Sequence, residues 1–145
     1  MGANDYRLAA LERIAAAEQL CCSCYYPECI YVSGPAVECI LRANHDRSDP
    51  ALETGHDLRE LLKASRLETF VPEIQRRRLG VALGEIWARW RNGYRYASAK
   101  CIRTDLRRRG LFTGVKGDAL KYNARRALDC GHELVGLGCH RWSES

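Results

Sequence analysis

The chain has no apolar run approaching the ~18 residues of a membrane-spanning helix. Its first residues, MGANDYRLAALERIAAAE, lack the basic start and long apolar stretch of a secretory leader. Those two absences predict a cytoplasmic protein with no membrane partner. Strand patterning is almost missing too, and no internal repeat or low-complexity linker interrupts the sequence, so one domain over residues 1–145 is expected. At 145 residues it can bury a core without a disulfide or metal staple. Acidic residues are scarce in the second half. Residues 76–145 hold 16 Lys or Arg against 6 Asp or Glu, a net of +10, whereas residues 1–75 hold 7 against 12, a net of −5. The basic half attracts phosphate-bearing partners, and the acidic half could dock on a basic surface of a second copy.

Eight cysteines are present, five of them at 21, 22, 24, 29 and 39 within segments that read as helical. In a reducing compartment such residues act as small buried hydrophobes. A metal reading rests on the Cys21-x-x-Cys24 pair and on Cys130, His132, Cys139 and His140. A structural zinc site needs two close ligand pairs at the ends of a turn, and here the first pair falls inside a helix pattern. No metal and no cofactor are therefore expected.

What is present is helical periodicity. Residues 5–24 are rich in Ala, Leu and Glu, with Ala10, Ile14, Ala17, Cys21 and Cys24 on one stripe. Pro27 opens a second helix at a first-turn position, where its missing N–H costs nothing, and that helix runs to about Ala43. Its inward face carries Ile30, Ser33, Gly34, Val37, Leu41 and Asn44, with Glu38 beside it. A polar connection over residues 44–54 precedes a short helix over 56–65. Pro72 starts another, with Leu79, Ala82, Leu83, Ile86, Trp87 and Trp90 at helical spacing and a break at Asn92-Gly93. Residues 97–117 read as a basic loop, with at most a short helical turn before it. From Lys116 to about Leu137 a last helix places Leu120, Ala124, Ala127, Leu128, Gly131 and Val135 on one face. The predicted fold is all-α, an up-and-down bundle of four longer helices plus a short one.

Three ordered pieces, YYPECIYVSGPAVECILRA at residues 25–43, His-Asp-Leu at 56–58 and WRNGYRY at 90–96, resemble the prokaryotic branch of the HEPN family of helical nucleotide-binding domains. Pro35 departs from the family pattern, where an aromatic is usual, and a proline inside a helix leaves one carbonyl without its partner. The resemblance implies a helical bundle, often a homodimer paired with a nucleotidyltransferase partner protein in toxin–antitoxin or defence systems, with RNA or nucleotide as ligand. Ribonucleases of the family carry an Arg, a polar residue and then a His. Arg91 and Asn92 match the first two, but Tyr96, Ala97 and Ser98 stand where the histidine belongs. Tyrosine, with a pKa near 10, is a poor general base at neutral pH.

The expectation is accordingly a phosphate-binding protein with a degenerate catalytic motif, using Arg91, Asn92, Arg95, Lys100, Arg103, Arg107, Arg108 and Arg109, within the basic segment over residues 100–121. If it is catalytic, the candidates are Arg91, Tyr96 and His56, acting as a metal-independent endoribonuclease. An interaction scaffold without a nucleic-acid ligand is the reading from a different class. Glu38 and Arg95 are expected to form a buried ion pair organising a pocket, with Arg42 the competing partner one turn along. Asp57 is expected to cap a helix N-terminus, with His56 packed beside it.

Overall fold

The computed structural model describes residues 2–45 and 58–143, which form helices and no strand. In chain order these are α1 (Ala3–Cys22), α2 (Tyr26–Ala43), α3 (Leu58–Ser65), α4 (Leu67–Phe70) and α5 (Glu73–Arg89), then a 3-10 helix (Asn92–Tyr96), α6 (Ala99–Arg108) and α7 (Ala119–Ser143). The all-α bundle expected from periodicity is what forms, with α1, α2, α5 and α7 as its long members. None of these helices is long and apolar enough to cross a membrane. His56 and Asp57, with most of the 44–54 connection, lie outside the described residues.

The predicted stripes face the core. Ala10, Ile14, Ala17 and Cys21 of α1 are buried, as are Leu79, Ala82, Leu83 and Ile86 of α5, and Leu120, Ala124, Ala127, Leu128 and Val135 of α7. Cys24 does not follow its stripe. It lies past the end of α1 in a left-handed conformation, φ 64°, and is exposed, so Cys21 and Cys24 are not a pair within one helix. Trp87 is only half-buried, with the Arg59 guanidinium 5.3 Å from its ring centre.

Helix α2 is the hub. Eleven of its eighteen residues are buried, more than one helix face supplies, because it packs against α1, α3, α5, α6, α7 and the 3-10 helix. Glycines let its neighbours approach. A Cβ on Gly138 of α7 would overlap Ile40, and Asn44 donates from Nδ2 to the carbonyls of Ile40 at 2.9 Å and Gly138 at 3.3 Å.

Pro35 sits inside α2, so the carbonyl of Tyr31 four residues earlier has no amide proton to accept. The Trp90 indole supplies the missing donor, its Nε1–H reaching the Tyr31 carbonyl at 3.1 Å. Gly34 makes the approach possible, since a Cβ there would overlap the Trp90 ring. The same Tyr31 accepts a bond at its hydroxyl from Arg95 Nε at 2.9 Å. Two ends of one tyrosine thus hold the segment that leaves α5. That helix ends at Arg89, with Trp90 and Arg91 extended, three residues before the expected break at Asn92-Gly93.

The largest departure from the sequence reading is α6, where a loop was expected. Ser98 caps it, accepting from the Cys101 amide at 3.1 Å. Gly110 closes it at φ 81°, with the Leu111 amide on the Leu106 carbonyl at 3.1 Å and the Gly110 amide on that of Arg107 at 3.0 Å. Only Ile102 and Leu106 of this helix are buried, too few to show a period in the sequence.

The Trp90 bond yields a test. Trp90→Phe should cost about 1–3 kcal/mol for the stranded Tyr31 carbonyl, beyond lost packing. In a Pro35→Ala background, where residue 35 regains an amide proton for that carbonyl, the same change should cost at least about 1 kcal/mol less. Urea denaturation of the four proteins measures the coupling, and additive costs would show that the indole is not the carbonyl's essential donor.

Candidate functional site

Three groups of basic residues in the second half bear on the site, and Arg95 stands apart from them. In the first group two side chains, Arg89 and Arg109, are turned inward. Arg89 is 6% exposed and donates from Nε to Asn123 Oδ1 at 3.0 Å and from Nη1 to the Glu85 carbonyl at 3.2 Å, with a further ion pair to the Glu85 carboxylate. Fully buried Asn123 passes the network on, donating to the carbonyls of Leu111 at 3.1 Å and Ala119 at 2.8 Å. Arg89 therefore fastens α5 to the start of α7 and takes no part in the positive surface that the charge count suggested.

Arg109, expected at the nucleic-acid interface, is also turned inward. Its Nη1 bonds the Ala88 carbonyl, one of the open carbonyls in the last turn of α5. Its Nη2 donates to the Tyr94 hydroxyl at 2.8 Å and its Nε pairs with Asp105 Oδ2 at 3.2 Å. The Tyr94 hydroxyl in turn donates to Asp105 Oδ2 at 2.5 Å, and Arg91 lies 3.6 Å from that oxygen. The Tyr94 bond is the main cause holding the Asp105 carboxyl below its ordinary range, with Arg109 and Arg91 helping against partial burial. Burial, then the bond to Asp105, pushes the Tyr94 hydroxyl up to about 12. Sequence reading missed both Tyr94 and Asp105. Asp105 is the single acid within α6, and that isolation was the available signal.

The second group lines a pocket of about 430 Å³ built from Trp87, Ala88, Trp90, Arg91, Asn92 and Arg109. It brings together Arg91 and Asn92 as expected, but not Arg95. The third group is the outer face of α6, where Lys100, Arg103 and Arg107 are exposed at steps of three and four residues, with Arg108 beside them. Ile102 and Leu106 anchor the opposite side. None of these four cations forms an ion pair among the described residues; Arg107 lies 5.6 Å from the Phe112 ring centre.

Arg95 lines a different pocket, of about 360 Å³, between α1 and α2. There the expected Glu38–Arg95 pair does not form. Glu38 Oε1 accepts from Arg42 Nε at 3.1 Å and Nη2 at 3.0 Å, because a one-turn step along α2 brings the two side chains together, while Arg95 is taken by the Tyr31 hydroxyl. The Glu38–Arg42 pair is nonetheless mostly desolvated, with side chains 11% and 12% exposed, unlike an ordinary surface pair.

Tyr96 is 84% exposed beside Arg95, with the guanidinium 6.0 Å from its ring centre. No described histidine lines either pocket; His132 lies elsewhere, 3.7 Å from Glu18. Tyr25 is exposed, and Tyr26 and Tyr31 are half-buried against the core. Among the described residues no three His, Cys, Asp or Glu side chains gather as metal ligands. The arrangement presents fixed positive charge and aromatic faces, without a described neutral-pH proton acceptor at Arg91.

The chain matches no family model, no curated protein and no solved structure, so the geometry of these groups carries the functional reading.

Folded Asp105 holds its proton less tightly than the unfolded chain does. Its stabilisation is complete above the unfolded carboxylate value of about 3.9 and is lost as pH falls through the lower folded value. Tyr94→Phe should cost about 1.5–3 kcal/mol at about pH 7 and less at about pH 2, as the carboxylate takes up its proton. Urea melts at the two pH values read this, and an equal cost at both would remove the charge-assisted bond from the account.

Proposed function

We propose that this chain is an HEPN-like domain that binds RNA or nucleotide phosphates and no longer cleaves them. The observation that carries this reading is the outer face of α6, where Lys100, Arg103 and Arg107 project together with no acidic partner among the described residues. Such a row follows a phosphate backbone and gains affinity by releasing its counterions. Arg91 and Asn92 extend the surface through the Trp87–Trp90 pocket, where the half-buried Trp87 ring suits an unpaired base. Arg109 contributes by setting the position of Asp105 and hence of Arg91, not by direct contact.

The absent histidine separates this reading from a ribonuclease. The HEPN resemblance adds a homodimer and a paired nucleotidyltransferase as the partners to look for, in a toxin–antitoxin or defence setting.

Four neutralised phosphates on a single strand give a salt slope near −3, so affinity for a labelled single-stranded RNA should fall roughly 50-fold between about 50 and 200 mM salt. Charge reversal of Arg103 and Arg107 together should weaken binding at least about tenfold and flatten that slope. Fluorescence anisotropy measures both, and gel analysis of the same RNA without metal should show no cleavage. Absence of salt-sensitive binding would favour the scaffold reading. Cleavage that disappears with Arg91→Ala would make the chain an active ribonuclease.

A further inference from the structure

The pocket between α1 and α2 is separate from the α6 surface. Tyr6 and Arg13 lie seven residues apart on one face of α1, Tyr31, Glu38 and Arg42 come from α2, and Arg95 reaches in from the 3-10 helix. Its charges are unequal in status. Arg42 is matched by Glu38 in a mostly buried pair. Arg13 and Arg95 have no carboxylate partner among the described residues: Arg13 makes one long bond to the Ala9 carbonyl at 3.4 Å, and Arg95 bonds the Tyr31 hydroxyl. Among the described residues lining the pocket, the guanidinium groups of Arg13, Arg42 and Arg95 face the single carboxylate of Glu38, a net of two positive charges.

We propose that this pocket is a binding site for a small phosphate monoester carried on a hydroxylated body, such as a sugar phosphate or a nucleoside monophosphate. A phosphate dianion matches the charge excess, and guanidinium groups bind its oxygens through paired N–H donors. The volume of about 360 Å³ is that of a small-metabolite site, too small for a folded polyanion. Glu38, an acceptor on the inner wall, repels a second anionic group and accepts from a hydroxyl. The rings of Tyr6 and Tyr31 offer apolar faces for a sugar or a base. Arg95 is held in place by the Tyr31 hydroxyl, so the anion meets a donor already oriented.

Isothermal titration calorimetry of the full chain with ribose 5-phosphate, AMP, inorganic phosphate and ribose tests this. Ribose 5-phosphate should bind at one site with Kd below about 1 mM, and ribose should give no saturable heat. AMP binding more tightly than ribose 5-phosphate assigns a nucleotide; equal or weaker binding assigns a sugar phosphate. Arg13→Gln and Arg95→Gln should each weaken ribose 5-phosphate by about tenfold, the loss of one charge-assisted contact. Arg13 is exposed on α1, so its variant should fold as the parent does. Glu38→Gln should weaken ribose 5-phosphate relative to inorganic phosphate, whose affinity should hold or rise because the Arg42 guanidinium loses its counter-charge. Reversing Arg103 and Arg107 should leave the ribose 5-phosphate affinity intact, which separates this site from the α6 surface. No saturable binding of any phosphate probe, or binding indifferent to both arginine substitutions, would overturn the proposal. Equal effects of Glu38→Gln on both phosphate ligands would overturn the assignment of a hydroxylated body.

Discussion

The indole bond from Trp90 to the Tyr31 carbonyl is the contact that fixes where the chain leaving α5 carries Arg91 and Arg95. Pro35 creates an open acceptor in the middle of the most buried helix, and a buried carbonyl left unpaired costs about 1–3 kcal/mol. Gly34 removes the side chain that would block the ring. The outcome is that the chain leaving α5 runs across α2 at one register. Arg91 is thereby carried toward Asp105, and Arg95 toward the α1–α2 groove. Two arginines four residues apart end up in different pockets.

A second constraint acts on the charges. Low-dielectric surroundings require each buried ion to have partners. Arg89 meets this with Glu85 and Asn123, and Arg109 with Asp105, Tyr94 and the end of α5. These internal commitments remove two arginines from the surface and make them joints between α5, α6 and α7. The cations left exposed on α6 are those whose helical position faces away from Ile102 and Leu106. The positive surface is thus narrower and better ordered than a count of basic residues implies.

Much of the bundle was legible in advance. Stripes such as Ala10–Ile14–Ala17–Cys21 and Leu79–Ala82–Leu83–Ile86 repeat over several turns, and burial of one helix face is enough to produce that record. Helix α6 left little trace, because two buried residues make no period. Its ends were written locally, in Ser98 and Gly110, but capping residues without a stripe between them are easily read as turns. Of the candidate site, Arg91 and Asn92 line one pocket, and Lys100, Arg103, Arg107 and Arg108 are exposed on α6. The partner of Glu38 was not legible, since a side chain's choice between a neighbour one turn away and one across a groove depends on coordinates.

Periodicity, caps and charge distribution are properties of neighbours along the chain, and they determined that this protein is helical, where its long helices lie and that its second half is electropositive. Only the tertiary structure decided which arginines are buried joints and which are free to bind, and that the Tyr31 carbonyl left open by Pro35 would be filled by a tryptophan fifty-nine residues away. Desolvation and hydrogen-bond satisfaction are settled by groups brought together in space, and no local pattern encodes which groups those are.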